Sequence, residues 1–144
     1  MAGDYTGEIL RVDLNKGKTE RFAIGEDVLR NFVGGTGLGA KFLYDEVPPG
    51  IEWSDPQNRL IFAAGPLNAT SIGGSGSVSV VSKGPLTNGA GCSQANGYFG
   101  AYLRLCGLNG IIVQELLRSF STLVLIQSQL SSGTLAGSKA WIRI

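Results

Sequence analysis

The stretch VGGTGLGAKFLYDE, residues 33–46, decides between two classes of fold. Gly35, Gly37 and Ala40 match the G-x-G-x-x-[G/A] fingerprint of dinucleotide-binding enzymes. That fingerprint requires a strand before its first glycine, because the pyrophosphate binds where the strand turns into a helix. Residues 26–32 instead have the apolar spacing of a helix, which argues against NAD. Two interpretations stay open: a tight helix–helix turn whose glycines permit close packing, or a turn that approaches a different phosphate-bearing cofactor.

Length, charge and residue types exclude several classes of protein. The chain has 144 residues, of which 43% are hydrophobic, enough for one domain with its own core. Its net charge of +1 gives no long-range field, so neither nucleic acid nor a membrane surface is expected as a partner. Without a long apolar run or a signal-peptide pattern, the expected location is cytoplasmic. The chain has no histidine and two cysteines, Cys92 and Cys106, which excludes a His-based triad and a zinc signature.

Apolar periodicity predicts an α+β fold, with mixed β-sheets and a few short helices that do not alternate regularly with the strands. A hairpin is predicted over residues 7–24. Further strands are predicted at 60–64, 78–82 and 111–113. Helices are predicted at 26–33, 38–47 and 97–106, the last of them capped by Gly107.

One tripeptide, Gly-Pro-Leu, occurs twice, at residues 65–67 and 84–86, each time directly after a predicted strand. Each copy opens a loop rich in Gly, Ser and Asn. Because both strands end in the same rigid turn, we expect the two loops on one side of a sheet. The alternative is that the tripeptide is only a good strand terminator.

The two loops form the candidate binding site. They are GGSGS, residues 73–77, and NGAGCSQANG, residues 88–97, both predicted as flexible backbone. Ser93 and Asn96 are residue types that cap a helix beginning near Gly97. Free N–H groups at such a helix start bind an anion without a charged side chain. The expected chemistry is binding and orientation of a ligand with many ring heteroatoms.

Two side chains near these loops in sequence carry groups that could bind or react. Lys83, at the end of a strand, is the cation nearest to them. Cys92 is interpreted as an ordinary loop residue, because no activating base accompanies it. No nucleophile–base pair is visible, so no catalytic and no metal-ligating residue is assigned.

Five segments in series resemble the N-terminal domain of the aldehyde ferredoxin oxidoreductase family. They are TGEILRVDLNKGK, GGTGLGAKFLYDEVPPG, NRLIFAAGPLNAT, VVSKGPLTNG and ANGYFGAYLRLCGLNGIIV. The resemblance implies a tungstopterin (or molybdopterin) bis-pterin cofactor and a [4Fe–4S] cluster. It implies oxidation of an aldehyde to a carboxylic acid, with the electrons passed to ferredoxin. In that family the N-terminal domain forms a base on which the two pterins rest.

The resemblance also implies which residues bind the cofactor. They are Gly76, Ser77, Lys83, Ser93, Gln94, Ala95, Asn96 and Gly97. Gln94 stands where the family has Asn, Asn96 where it has Gly, and Ser77 where it often has Arg. Loss of that guanidinium leaves phosphate binding to backbone N–H groups and Lys83. The alternative function is a non-catalytic module that binds a nucleotide or a partner through the Gly/Ser-rich loops.

The family resemblance divides the chain into residues 1–113, a partial pterin-binding domain, and a divergent tail, 114–144. Two cysteines cannot ligate a four-iron cluster, so the remainder of the oxidoreductase is expected as a partner. One codon choice for residues 114–119 encodes the family-like Gly-Val-Ala-Glu-Lys in another frame, and we hypothesise a frameshift near Gln114. The alternative is a divergent tail with its own strand from Thr122 to Ile126.

Overall fold

The computed structural model describes residues 7–115, 124–127 and 140–143. The strands of its main sheet are β1 (Glu8–Asp13), β2 (Lys18–Ala23), β3 (Arg59–Ala64), β4 (Val78–Lys83), β5 (Ala90–Ala95) and β6 (Gly110–Gln114). The helices in this part of the chain are α1 (Glu26–Phe32), α2 (Gly35–Glu46) and α3 (Phe99–Leu105). The strand order is β2-β1-β6-β3-β4-β5, with β1 and β6 parallel and the other neighbours antiparallel. This mixed sheet with short helices confirms the predicted α+β fold.

The hairpin predicted over residues 7–24 is confirmed by β1 and β2, which are antiparallel neighbours. The turn between them closes because the backbone N–H of Lys16 donates to Asp13 Oδ1 at 2.9 Å. Gly17 in the same turn takes a φ of +60°, which a residue without a Cβ adopts at little cost. β1 also pairs with β6, so the hairpin is joined to the middle of the sheet.

Apolar side chains cover both faces of the sheet. The face covered by α1 and α2, called the α2 face, has a core of Ile9, Ile24, Leu29, Leu38, Leu43, Ile61, Ala63, Val81 and Ile112. The opposite face, called the α3 face, has a core of Leu10, Val12, Ala64, Val78, Leu103, Cys106, Leu108 and Ile111. Neighbours such as Ile111 and Ile112 fall in different cores, because successive side chains of a strand alternate between faces.

The glycines of residues 33–46 bring α2 close to the sheet. A Cβ on Gly39 would lie 2.6 Å from Val81 Cγ2, so the helix approaches β4 through a position without a side chain. The helix begins at Gly35, three residues before its predicted start at Leu38. The segment before it is α1 rather than a strand, so the fingerprint lacks the context that NAD binding requires. These contacts support the close-packing interpretation of the glycines.

The two Gly-Pro-Leu turns lie at opposite ends of the sheet. β3 and β4 are antiparallel, and Ala64 at the end of β3 pairs with Val78 at the start of β4. The turn at 65–67 therefore lies at the end of the sheet where β3 finishes and β4 begins, called the Ala64 end. The turn at 84–86 lies at the opposite end of the strands, called the Lys83 end. The expectation that both loops emerge on one side is wrong, because antiparallel pairing reverses the second strand.

Residues predicted as flexible backbone form β5, which pairs with β4 along its whole length. The sequence AGCSQA has few of the β-branched and aromatic residues typical of strands, so the pairing with β4 determines its conformation. α3 begins at Phe99, and its N-cap, Tyr98, makes no side-chain capping hydrogen bond. Ser93 and Asn96 are thus not helix caps, and that prediction is wrong. Gly107 follows α3 with a φ of +76°, as predicted for its end.

β6 continues through Gln114, the first residue of the predicted tail. The side chain of Gln114 accepts from Arg11 at 3.0 Å and donates to Asp13 Oδ2 at 3.1 Å. The alternative strand from Thr122 to Ile126 overlaps β7 (Val124–Gln127), which pairs antiparallel with β8 (Ala140–Arg143). Most of the tail lies outside the described residues.

Candidate functional site

A groove of about 420 Å³ opens at the Ala64 end, between the loop after the first Gly-Pro-Leu turn and the start of α3. It is lined by Ala69, Thr70, Ile72, Gly74, Ser75, Gly76, Asn96, Gly97, Tyr98 and Ala101. None of these lining residues is charged. The volume of the groove and its uncharged lining suit the ring portion of a ligand, held by backbone groups, hydroxyl oxygens and one amide.

Two glycines form the narrowest crossing of backbone at the groove. A Cβ on Gly76 would overlap the carbonyl oxygen of Gly97, so any side chain at residue 76 would force the two segments apart. Gly97 itself has a φ of +135°, a conformation that residues with a Cβ rarely adopt. The crossing thus favours glycine at residue 76, and the backbone angle favours it at residue 97.

Four of the predicted site residues meet at this groove. Ser77 Oγ donates to Asn96 Oδ1 at 2.6 Å, which joins the start of β4 to the end of β5. Gly76 and Gly97 are adjacent to that pair and line the groove directly. The structure therefore brings Gly76, Ser77, Asn96 and Gly97 close together, three of them in the lining of the groove.

Three further predicted residues lie along β5 rather than in the lining. Gln94 pairs in register with Ser79 and contacts α2, where its Nε2 donates to Thr36 Oγ1 at 3.3 Å. Ser93 and Ala95 alternate with Gln94, so they lie on the opposite side of the strand. All three are exposed on β5, which is an edge strand of the sheet.

Lys83 lies away from the groove. It ends β4, five residues from Val78, which at strand spacing is roughly 17 Å along the sheet. Its Nζ donates to the carbonyl oxygen of Ile51 at 2.6 Å. The register of β4 therefore places Lys83 at the other end of the sheet from the groove, and the cofactor contact that the family resemblance implies for it stays a prediction.

The Lys83 end also holds a network of ion pairs. Arg11 donates to both carboxylate oxygens of Glu46, each at 2.7 Å, and Arg59 Nε reaches the same carboxylate at 3.4 Å. The hydrogen bonds to Glu46 raise the pKa of Arg11. These cations stabilise the junction of β1, β3 and α2. They lie at the Lys83 end, whereas the groove lies at the Ala64 end.

The two cysteines differ in environment. Cys106 is buried in the α3-face core, and its burial raises the pKa of the thiol, which makes it unreactive. Cys92 lies exposed on β5 with its Sγ 3.2 Å from Thr36 Oγ1. Among the described residues no three His, Cys, Asp or Glu side chains come together as metal ligands.

Sequence reasoning missed the residues between the first Gly-Pro-Leu turn and Gly74. Ala69, Thr70 and Ile72 line the groove, and Asn68 lies beneath it with 5% of its surface exposed. The available signal was the position of the polar segment NATS directly after a rigid turn.

No helix within residues 7–115 is long and apolar enough to cross a bilayer.

Comparison with known proteins identifies relatives of most of the chain. A sequence model described as "Aldehyde ferredoxin oxidoreductase, N-terminal domain" matches residues 9–131. A tungsten-containing aldehyde ferredoxin oxidoreductase of Pyrococcus horikoshii is 40% identical over 110 residues, covering 76% of this chain and 18% of the relative. The WOR-like subunit of an aliphatic sulfonate oxidoreductase from Pyrococcus furiosus is 37% identical over 113 residues, with 76% and 18% covered.

A solved structure has the same fold. The active-site complex BamBC of benzoyl coenzyme A reductase, bound to 1,5-dienoyl-CoA, superposes with a TM-score of 0.79 and 36% sequence identity. The match covers 87% of this chain and 19% of the solved chain. The present chain thus spans less than a fifth of the length of the relatives it matches.

Proposed function

The chain belongs to the aldehyde ferredoxin oxidoreductase family, and we propose that it is the cofactor-binding part of an enzyme that oxidises aldehydes to carboxylic acids with ferredoxin as electron acceptor. Family membership and the names of the tungsten-containing relatives support this assignment. The observation that carries it is the groove at the Ala64 end, where four residues implied by the family resemblance come together. We further propose a cytoplasmic location.

The residues of the groove fit a flat, heteroatom-rich cofactor such as a pterin. Glycine at residues 76 and 97 leaves backbone exposed where a Cβ would otherwise fill the space. Asn96 offers an amide, whereas the hydroxyls of Thr70 and Ser75 donate to the carbonyl oxygens of Leu67 and Thr70 and can serve a ligand only as acceptors. The volume of about 420 Å³ lies within the range of small-molecule sites.

We propose that Gly76, Ser77, Asn96 and Gly97 hold one edge of a tungsten bis-pterin. We propose that Ser93 and Ala95, exposed on one side of β5, extend that surface, and that Gln94, on the other side of the strand beside Thr36, is a further contact. The cofactor, when bound, supplies the two-electron redox chemistry. This chain's own residues bind and orient it, and backbone N–H groups with the Asn96 amide replace the guanidinium that the family often has at residue 77.

The [4Fe–4S] cluster and the metal environment are proposed to come from the remainder of the oxidoreductase. The chain has two cysteines, whereas such a cluster needs about four thiolates. One of the two, Cys106, is enclosed in the α3-face core. Partners of the whole enzyme, ferredoxin and the aldehyde, follow from the same proposal.

The test is expression of this chain together with the remainder of the oxidoreductase in tungstate-supplemented cells. Tungsten measured by mass spectrometry and pterin measured by fluorescence are expected to copurify with the chain. Gly76→Ala is expected to lower both, while the matched variant Gly73→Ala leaves them unchanged, because a Cβ there meets nothing within 4 Å. Retention of a nucleotide without metal supports the alternative, a non-catalytic binding module, and contradicts the proposal.

We also propose that the reading frame changes near Gln114, so that residues 1–113 form the partial pterin-binding domain and residues 114–144 a divergent tail. Support comes from the alternative codon frame of residues 114–119, which encodes a family-like sequence. The gene decides this. If neither alternative frame resumes family-like sequence downstream, the proposal is wrong.

A further inference from the structure

Asn68, which directly follows the first Gly-Pro-Leu turn, is a buried polar residue beneath the groove. Only 5% of its surface is exposed. Its backbone N–H donates to the carbonyl oxygen of Gly65 at 3.2 Å, which closes the turn. Its side-chain Nδ2 donates to the carbonyl oxygen of Ser77 at 2.7 Å. One residue of the turn thus reaches across to the start of β4.

The amide is tightly packed on the side of α3. A Cβ on Gly100, in the first turn of α3, would overlap Asn68 Nδ2 and would lie 2.6 Å from the carbonyl oxygen of Ser77. The same Cβ would lie 3.0 Å from the carbonyl oxygen of Gly76. Asn68, the segment 76–77 and α3 therefore pack against one another without room for a methyl group. This packing, with the hydrogen bond to the Ser77 carbonyl, restricts the orientation of the amide.

The hydrogen bonds continue from Asn68 to the groove. The Ser77 residue whose carbonyl accepts from Asn68 also donates from its Oγ to Asn96 Oδ1 at 2.6 Å. Gly76 and Asn96, on either side of Ser77 in this chain of contacts, both line the groove. The backbone plane at residue 77 is thus fixed from below by a buried side chain, and the groove wall is fixed through it.

We infer that Asn68 is a positioning residue for the pterin cofactor, acting through Ser77, Gly76 and Asn96. The inference rests on the proposed function and deepens it, because it names a residue that does not line the groove. A site residue is held in its productive geometry when its supporting hydrogen bonds are locked by packing. The amide matters because its N–H donates to a carbonyl, which a carboxylate of similar shape cannot do.

The variants are Asn68→Ser and Asn68→Asp, with Asn58→Ser as the matched control. Asn58 also donates its Nδ2 to a backbone carbonyl at 2.7 Å, that of Trp53, but it lies at the Lys83 end. Each variant is expressed with the remainder of the oxidoreductase and tungstate. Pterin fluorescence per chain, thermal unfolding and amide hydrogen exchange are measured on the same preparations.

Both Asn68 variants are expected to lower pterin content about tenfold. This is the lower limit of the loss in affinity when a residue that hydrogen-bonds to a metal-ligating residue is replaced. Asn58→Ser is expected to lower the unfolding temperature similarly and to keep wild-type pterin content. Faster amide exchange at residues 76–77 and 96–97 in Asn68→Ser, but not in the control Asn58→Ser, supports the positioning role. Unchanged pterin content in the Asn68 variants overturns the inference, as does an equal loss in Asn58→Ser.

The exchange measurement separates failure of this inference from failure of the proposed function. If the wild-type preparation carries neither pterin nor tungsten, the proposed function is wrong. Asn68 is then judged by exchange alone, and unchanged exchange at residues 76–77 and 96–97 overturns its positioning role. If the wild type carries pterin and both Asn68 variants keep it, the proposed function stands and the inference fails.

Discussion

The two ends of the sheet begin from the same tripeptide and finish as different structures. At the Ala64 end, Gly-Pro-Leu at 65–67 is followed by a loop of small residues that borders a groove of about 420 Å³. At the Lys83 end, Gly-Pro-Leu at 84–86 is followed by a loop tied to residues 51–58. There Asn88 accepts from the backbone N–H of Trp53 at 2.8 Å and donates to Glu52 Oε2 at 2.7 Å.

The difference comes from the long-range partners of each turn. Asn58 joins the segments at the Lys83 end. Its Oδ1 accepts from the backbone N–H groups of Arg59 and Lys83, and its Nδ2 donates to the carbonyl oxygen of Trp53. Asn68, at the Ala64 end, supports the segment 76–77 from below and leaves the space above it open. A rigid turn fixes where the chain leaves the sheet, and the residues it meets afterwards decide whether a site forms.

The largest effect is expected from filling the Ala64 end at Gly100. Gly100→Ala places a methyl group against Asn68 and the carbonyl oxygen of Ser77, and overpacking of this kind costs about 3 kcal/mol. The free energy of unfolding, measured by urea denaturation, tests it. Gly73→Ala is the control, with a change of less than about 0.5 kcal/mol. Equal stability of the two variants would show that the contacts beneath the groove are loose.

Removing Asn58 is expected to weaken the Lys83 end alone. Asn58→Ala leaves the N–H groups of Arg59 and Lys83 without their acceptor, a loss of about 2 kcal/mol in the free energy of unfolding. Pterin content per chain is expected to stay at the wild-type level, because the groove is at the opposite edge. A parallel fall in pterin content would mean that the two ends are coupled.

Lys83→Met tests whether the lysine at the Lys83 end has a binding role. Its ammonium group donates to the carbonyl oxygen of Ile51, so we expect a stability loss of about 1 kcal/mol, measured by urea denaturation. Tungsten and pterin contents are expected to be unchanged. Loss of either would show that the lysine contacts the cofactor, as the family resemblance implies.

The smallest effect is expected at Asp13, where β1 ends beside the Lys83 end. The hydrogen bond from the backbone N–H of Lys16, followed by that from Gln114, lowers the pKa of Asp13. A carboxyl whose pKa is lower in the folded state stabilises the protein above its unfolded pKa, and this contribution disappears as the pH falls through the folded value. The stability difference between wild type and Asp13→Asn should therefore be largest near neutral pH and vanish in acid. A difference independent of pH between 7 and 3 would contradict it.

Elements with a local apolar pattern were predictable from the sequence. The hairpin, β3, β4, β6 and α1 follow from alternation or helical spacing, because their buried residues recur at the period of the element. β5 was missed, since AGCSQA has no such pattern and becomes a strand only through pairing with β4. The start of α2 was missed because its first turn contains glycines, which are poor helix formers without a packing partner.

The sequence by itself determined the family, the composition of the two loops and the absence of histidine. Only the tertiary structure decided that Gly76, Ser77, Asn96 and Gly97 meet while Lys83 lies at the opposite edge. It alone also placed Asn68 beneath them. The physical reason is strand direction: residue types reveal what can bind, whereas antiparallel register fixes which residues share an end of the sheet.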